Sequence, residues 1–153
     1  MKTKLNKPLV VLLVAAFCST PAAAQFLPRG ITEVSDNLYW AHEDSHRVAF
    51  LVTDEGVILA DTISTEFSTW LKGEIESRFG VPVRYVLYSH HHWDHASGGA
   101  VFEETATFVG HENMLPNLAR ATEGEVRPPD QTFRDEMTVT LGGKEARLIH
   151  VGR

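Results

Sequence analysis

The length, composition and charge of this chain are those of a single globular domain. It contains 153 residues, of which 43% are hydrophobic and 22% are charged, and a chain of this kind can bury a substantial core. It shows no low-complexity segment, heptad pattern or internal repeat, which excludes coiled coils and repeat arrays. Its formal net charge of −6 disfavours binding to nucleic acid or to an anionic membrane surface, because both would repel it.

The first 24 residues are predicted to be a secretory signal peptide. Three lysines, Lys2, Lys4 and Lys7, precede an apolar run at residues 9–17, and the alanines at residues 22–24 form a cleavage site. The apolar run reaches only about half of the ~20 residues that a membrane-spanning helix needs, so we expect no stable membrane anchor. The protein is expected to be exported, and to be periplasmic or secreted after cleavage near Ala24.

Cleavage at this point would remove Cys18, the only cysteine of the chain. The mature protein would then contain neither a disulfide nor a thiolate ligand. All 20 acidic residues but only 11 of the 14 basic residues lie beyond the signal, so the mature chain would carry a formal net charge of −9. We therefore expect no nucleic-acid partner, while the oligomeric state stays open.

Residues 25–30 are predicted to be a linker, and the domain is expected to occupy residues 31–153. Hydrophobic patterning predicts four β-strands, at residues 31–34, 38–41, 48–52 and 57–60. A polar loop is predicted between the second and third strands, over residues 42–47. The fourth run is continuously apolar, which is typical of a strand that is buried on both faces.

A helix is predicted after the fourth strand. An apolar stripe at helical spacing indicates it, formed by Phe67, Trp70, Leu71, Ile75 and Phe79. Ser64 or Thr65 can cap its start. Gly80, followed by Pro82, is the usual signature of a helix end.

The second half of the chain alternates strands with helices. We predict a strand at 83–88, a short helix at 96–103, a strand at 107–109, a helix at 112–121, a proline-rich loop at 126–132, and a hairpin of residues 137–141 and 146–149 around Gly142 and Gly143. Antiparallel strands followed by this alternation indicate an α/β fold with a mixed sheet and helices on its outer face.

An array of histidines lies at the end of the strand predicted at residues 83–88. His90 and His92 point the same way if the backbone stays extended, because side chains alternate with period two. Asp94 and His95, at the turn into the next helix, can reach a second position nearby. Imidazole and carboxylate are the ligands that zinc prefers where no thiolate is available, so the array predicts a metal site. By the same alternation His91 points away, and we interpret it as a structural residue or as one that supports the ligands from behind. Trp93 is interpreted as a packing residue.

The segment Ser89-His90-x-His92-x-Asp94-His95-x-x-Gly98-Gly99 resembles the signature of the metallo-β-lactamase superfamily. Residues 56–62 resemble an earlier motif of that family, which ends in an aspartate next to the metal site, here Asp61. The resemblance extends from about residue 31 to the end of the chain. It implies an αββα sandwich, of which this chain holds about the first half.

The resemblance also implies roles for the residues of the two motifs. His90 and His92 would be ligands of a first zinc ion, and Asp94 and His95 ligands of a second. Asp94 would also orient the attacking water, which makes it the expected catalytic residue. Asp61 would support the ligands from behind.

The reaction implied is metal-dependent hydrolysis, in which zinc-bound hydroxide, available near neutral pH, attacks a carbonyl group. The resemblance implies a small-molecule substrate, which could be a β-lactam, an ester, a lactone or a thioester, because the fold does not determine the substrate. A thioesterase resembling glyoxalase II is one alternative, although export argues against a cytosolic thioester. A truncated domain that binds metal without turnover is the other.

In this family a third histidine completes the first metal site, in a Gly-x-x-His-(Ser/Thr) turn that follows a strand. We expect that ligand and the remaining ones to lie beyond Arg153, and the present piece alone to bind zinc weakly and to be catalytically poor. His150 is interpreted as a structural strand residue. His111 is interpreted as a local capping residue, with a role at the substrate rim as the alternative. The polar loop that contains His42 and His46 is interpreted as a solvated turn.

Overall fold

The computed structural model describes residues 28–121 and 124–152. The predicted signal peptide, its cleavage site and Cys18 lie outside these described residues. Within the described ranges, every helix is too short or too polar to traverse a lipid bilayer.

A seven-stranded mixed sheet organises the fold, with its strands in the order in which they occur along the chain. Its first four strands form an antiparallel meander, β1 (Gly30–Ser35), β2 (Leu38–Glu43), β3 (His46–Thr53) and β4 (Gly56–Ala60). Three more add to β4 in parallel, β5 (Val83–Leu87), β6 (Thr107–His111) and β7 (Gln131–Phe133). Since parallel strands need crossover connections, helical segments separate β4, β5 and β6.

Helix α1 (Thr65–Phe79) connects β4 to β5, as predicted. The side chain of Ser64 accepts a hydrogen bond from the backbone N–H of Phe67 at 3.1 Å, which satisfies one of the free donors of the first turn. Gly80 ends the helix in a left-handed conformation, with φ of 69°. Both predicted end signals are confirmed.

The main core lies between α1 and one face of the sheet. Alternate residues of β3, Val48 and Phe50 among them, point to this face, and Leu59 and Val86 of the central strands are fully buried there. Phe67 of α1 packs against the same cluster. The period-two pattern of β3 and the helical stripe of α1 therefore meet in one core, as their spacing predicts.

The opposite face of the sheet is partly covered by a β-hairpin. Strands β8 (Glu136–Leu141) and β9 (Lys144–Ile149) form this hairpin at the predicted place. Val139 of β8 packs on Ile58, Leu87 and Val109 of the sheet. The layers run from helix to sheet to hairpin, and the predicted mixed α/β fold is confirmed.

Three predicted elements in the second half of the chain differ from the structure. The helix predicted at 96–103 is instead two pieces, α2 (Trp93–Ala96) and a 3₁₀ helix (Gly99–Phe102), because Gly98 between them has a φ of 82°. The helix predicted at 112–121 is shorter, α3 (Met114–Leu118). The proline-rich loop ends earlier than predicted, since Gln131 and Thr132 belong to β7.

The loop predicted at residues 42–47 is also much shorter. The ladder between β2 and β3 continues to the pair Glu43 and His46, which leaves Asp44 and Ser45 as a two-residue turn. Asp44 has a φ of 52°, as tight hairpin turns require. Residues 42 and 43 therefore belong to β2, and residues 46 and 47 belong to β3.

A substitution of Gly98 tests how closely the end of α2 packs against the start of α1. A Cβ at this position would lie 2.5 Å from the carbonyl carbon of Ser64 and 2.8 Å from Ser68 Oγ, and the positive φ adds backbone strain. We expect Gly98→Ala to lower the free energy of unfolding by roughly 1–3 kcal/mol, measured by urea denaturation. Gly73→Ala, on the exposed side of α1 with open space around it, should instead raise it by roughly 0.5–1 kcal/mol. An unchanged midpoint for Gly98→Ala would contradict this account.

Asp130 makes the stability of the β6–β7 region depend on pH. Burial alone would raise its pKa, but the hydrogen bond from the Phe108 N–H at 2.9 Å and the Arg127 guanidinium at 2.8 Å hold the pKa below its ordinary value. The stabilisation is therefore fully present above the unfolded pKa of about 3.9, and is lost as the pH falls through the lowered folded value. Asp130→Asn should unfold more easily at pH 7 and lose less stability between pH 5 and pH 3 than wild type. Asp36→Asn, in the exposed β1–β2 turn, is the control and should keep the wild-type pH profile.

Candidate metal centre

The candidate site lies where the parallel strands β4 and β5 end. Ala60 and Leu87, the last residues of these strands, are in register, and the backbone N–H of Asp61 continues the ladder to Leu87 O at 3.0 Å. Asp61 therefore comes directly beside Ser89, which opens the histidine segment. The carboxyl ends of parallel strands are the usual place for ligand sites in α/β sheets.

Asp61 is a buried carboxylate, and three hydrogen-bonding groups converge on it. Its side chain is 11% exposed. Its Oδ1 accepts the backbone N–H of Ser89 at 2.8 Å, and its Oδ2 accepts the Ser89 hydroxyl at 2.6 Å. His95 Nδ1 lies 3.3 Å from the same Oδ2. These partners replace the water that a buried charge would otherwise lose.

The hydrogen bonds around Asp61 determine the tautomers of two histidines. A carboxylate only accepts, so His95 carries its proton on Nδ1, and its Nε2 keeps a lone pair. The single hydroxyl proton of Ser89 goes to Asp61, so at 2.9 Å His90 Nδ1 must donate to the Ser89 oxygen. Nε2 of His90 is therefore also left with a lone pair. The network thus prepares both imidazoles to bind a metal through Nε2.

The connection that carries Asp61 is strained and held from several sides. Asp61 and Ile63 have φ values of 63° and 62°, which cost non-glycine residues on the order of 1–3 kcal/mol each. The backbone N–H groups of Thr62 and Ile63 both donate to His95 O, at 2.8 and 3.0 Å. The Thr62 hydroxyl donates to Ser97 O at 2.6 Å. These bonds attach α2 to the end of β4, and so keep Asp61 against Ser89 and His95.

Three of the predicted ligands cluster closely. The ring centroids of His90 and His92 are 4.7 Å apart, and those of His90 and His95 are 4.4 Å apart. Burial lowers the pKa of His90, and the neighbouring His95 and His92 lower it further. A neutral imidazole with a free lone pair is the form that binds a metal ion. The residues present therefore fit a metal site.

Asp94, the fourth predicted ligand, lies on α2 at the edge of this cluster. Burial opposes its ionisation, but the hydrogen bond from His46, its own backbone N–H and His95 hold its pKa below the ordinary value. Asp94 is therefore an ionised acceptor at neutral pH. Asp94 also belongs to a compact group of possible metal-binding atoms. One such atom from each of His46, Asp94 and His95 lies within 4.8 Å of the other two. Nitrogen and carboxylate donors together favour zinc among the common divalent ions.

His46 is the site residue that sequence reasoning missed. The interpretation as a solvated turn put it outside the site, but its Nε2 lies 3.4 Å from Asp94 Oδ2. A signal for this position exists in the strand pattern. Period two, extended back from Val48 and Phe50, places His46 on the same buried face of the sheet.

The remaining candidates lie at the rim of the site. His111 and His150 stack with centroids 3.7 Å apart. His111 Nε2 donates to Arg134 O at 2.7 Å, and its Nδ1 accepts the Asn113 N–H at 3.2 Å, so its ring serves local structure, as predicted. Both rings line a cavity of about 230 Å³ beside His90. Trp93, expected to pack, is instead 51% exposed.

Comparison with known proteins identifies the family. A sequence profile of the metallo-beta-lactamase superfamily matches residues 43–152, which is most of the chain and includes every site residue described above. The 2,4-dinitroanisole O-demethylase subunit alpha from Nocardioides sp. (strain JS1661) is 30% identical over 130 residues, which are 82% of this chain and 40% of that protein.

Solved structures show the same fold. The subclass B3 metallo-beta-lactamase BJP-1 of Bradyrhizobium japonicum is 26% identical, with a TM-score of 0.64 over 75% of this chain and 49% of that one. The metallo-beta-lactamase FEZ-1 from Legionella gormanii is 22% identical, with a TM-score of 0.67 over 79% of this chain and 52% of that one. The chain thus spans about half, or less, of the length of these relatives. By sequence and by fold, it is a member of the metallo-beta-lactamase superfamily.

Proposed function

We propose that this chain forms the metal-binding part of an exported, zinc-dependent hydrolase that acts on a small molecule. The observation that carries the proposal is the pair of imidazoles, His90 and His95, whose tautomers Asp61 prepares for metal binding. His90 and His92 would hold one zinc ion, and Asp94 and His95 would hold a second. The predicted signal peptide supports a periplasmic or secreted location.

When bound, zinc would supply Lewis acidity toward water and toward a substrate carbonyl. The chain's own residues provide orientation and proton acceptance. Asp94 has one oxygen engaged by His46, so its other oxygen can accept a hydrogen bond from water and orient that molecule. Because Asp94 is ionised at neutral pH, it can also take up a proton that the water releases. Asp61, buried behind the histidines, holds them in place without reaching the substrate.

The cavity beside the cluster supports a small substrate. It is lined by a mixture of polar and apolar side chains, Tyr88, His111, Met114, Asn117 and His150 among them. Such a mixture suits an organic molecule with both a ring or acyl group and a polar group. The acidic chain gives no support to a polyanionic substrate.

A β-lactam is the substrate class that we favour, because of the 26% identity to BJP-1 and the predicted export. An aromatic methyl ether is a second candidate, because the relative that is 30% identical over 130 residues is a subunit of an O-demethylase. A thioester, as in glyoxalase II, and a metal-binding domain without turnover are the remaining alternatives.

The substrate class can be tested with a panel on the zinc-loaded protein expressed from its complete reading frame. The panel contains a chromogenic β-lactam, 2,4-dinitroanisole, a glutathione thioester and a lactone. We expect the β-lactam to be turned over with the highest kcat/KM of the four. His92→Ala should reduce kcat/KM by at least about 10³-fold, since a metal ligand site contributes several kcal/mol to the transition state. His42→Ala, a histidine on the opposite face of the sheet, is the control and should retain activity.

Chelation should abolish the same activity, and added zinc should restore it. Turnover that survives both chelation and His92→Ala would contradict the proposed function. Hydrolysis of a different member of the panel would keep the metal mechanism but replace the substrate.

The role of Ser89 in preparing His90 can be tested separately. Ser89→Ala removes the hydroxyl between Asp61 and His90, so His90 loses the partner that keeps its proton on Nδ1. We expect zinc affinity to fall by about 10–100-fold, as measured by competition with a chromophoric chelator. Ser89→Thr keeps the hydroxyl and should restore affinity to within a few-fold. NMR of the ¹⁵N-labelled histidines should show His90 changing tautomer in Ser89→Ala only, and an unchanged tautomer with wild-type affinity would refute this role.

A further inference from the structure

One imidazole beside the proposed metal centre engages an oxygen of Asp94 but is not one of the four predicted metal ligands. His46 is the first residue of β3, and it reaches the site from the β2–β3 hairpin. Its Nε2 lies 3.4 Å from Asp94 Oδ2, and its ring meets that of His95 edge to face, with centroids 5.8 Å apart. The position therefore brings a third donor to the two residues that were assigned to the second metal position.

The distance between His46 and Asp94 is more typical of two ligands of one ion than of a good hydrogen bond. Hydrogen bonds from a ring nitrogen to an oxygen usually measure about 2.7–3.2 Å. Two donors that each bind zinc at about 2.0–2.2 Å lie roughly 3–4 Å apart when the arrangement is tetrahedral. The 3.4 Å between His46 Nε2 and Asp94 Oδ2 falls within the second range and is long for the first, so the two groups form a weak hydrogen bond and are spaced to share one ion.

The backbone of the β2–β3 hairpin determines the position of His46. His46 pairs with Glu43 in the β2–β3 ladder, and the two-residue turn between them allows little backbone movement. Glu43 is held in turn by an ion pair with Arg29 at 2.5 Å. A donor that is positioned by a strand ladder needs little reorganisation to bind an ion. His42, on the same hairpin, points to the other face of the sheet.

We propose that His46 is a third protein ligand of the metal position formed by Asp94 and His95. The proposal rests on the proposed metal-binding function of the histidine array, and it adds to that array a donor from a separate part of the fold. The set of two imidazoles and one carboxylate is suited to zinc or a similar borderline divalent ion. The hairpin thereby becomes part of the metal centre.

The experiment is a metal titration of the protein expressed from its complete reading frame, with zinc affinity measured by chelator competition and geometry by Co²⁺ absorption. His46→Ala removes the donor, whereas His46→Gln keeps an N–H that can still bond to Asp94 but is a poor metal ligand. His42→Gln makes the same exchange on the opposite face. We expect both His46 variants to weaken the second metal equivalent by more than ~100-fold, beyond the loss typical of a residue that only supports a ligand. The visible bands of the second Co²⁺ should change in both, while His42→Gln matches wild type.

Recovery of affinity by His46→Gln to within a few-fold would show that His46 only donates a hydrogen bond to Asp94, and would overturn the assignment. Wild-type affinity in both His46 variants would overturn it as well. In either case the proposed hydrolase would stand if the wild-type protein binds two equivalents of metal and the His92→Ala variant does not. A wild-type protein that binds no metal would instead overturn the proposed function and this inference together.

Discussion

The structure of the site depends on one buried carboxylate, that of Asp61. A charge at this depth is stable only if donors surround it, and the donors it gathers are Ser89, through both backbone and hydroxyl, and His95. Because each of these groups has a limited number of protons, satisfying Asp61 leaves the outward nitrogens of His90 and His95 free. The need to satisfy a buried charge thus also determines which nitrogen carries the proton in two of the predicted ligands.

Strain accompanies this arrangement. Asp61 and Ile63 adopt left-handed conformations that a non-glycine residue avoids, and the hydrogen bonds to His95 O offset that cost. Because Gly98 has no side chain, the segment that follows α2 can lie directly against Ser64 at the start of α1. The region is therefore determined by contacts between segments that are distant along the chain, and not by the preference of any one segment.

This distinction explains what could be predicted from the sequence. Helix α1 was predictable because Ser64, the apolar stripe and Gly80 act within one segment, and the β8–β9 hairpin because its turn residues are adjacent. The break in the helix at Gly98 was not predictable, because the conformation of Gly98 depends on its close contact with Ser64, which is distant in sequence. Strand β7 is only three residues long and exists through pairing with β6. The histidine array was predicted because its members are close in sequence, whereas His46 lies 48 residues from Asp94 and is visible only as one position in the alternation of β3.

The parallel pairing of β4 with β5 has a consequence for how the site assembles. Asp61 and the histidine array belong to one β–α–β unit, and its two strands become neighbours only after the intervening helix has folded back across the sheet. The donors therefore cannot gather in an unfolded chain, and a metal ion that binds them would favour closure of this unit in particular. The pairing of β1, β2 and β3 does not depend on such a crossover, because its contacts are local, although an ion bound by His46 would connect the β2–β3 hairpin to this unit. A bound ion would thus stabilise the β4–β5 pairing, whose partners lie further apart in sequence than those of the other pairs in this sheet, and its stabilising effect would be concentrated in residues 56–96 and in the β2–β3 hairpin.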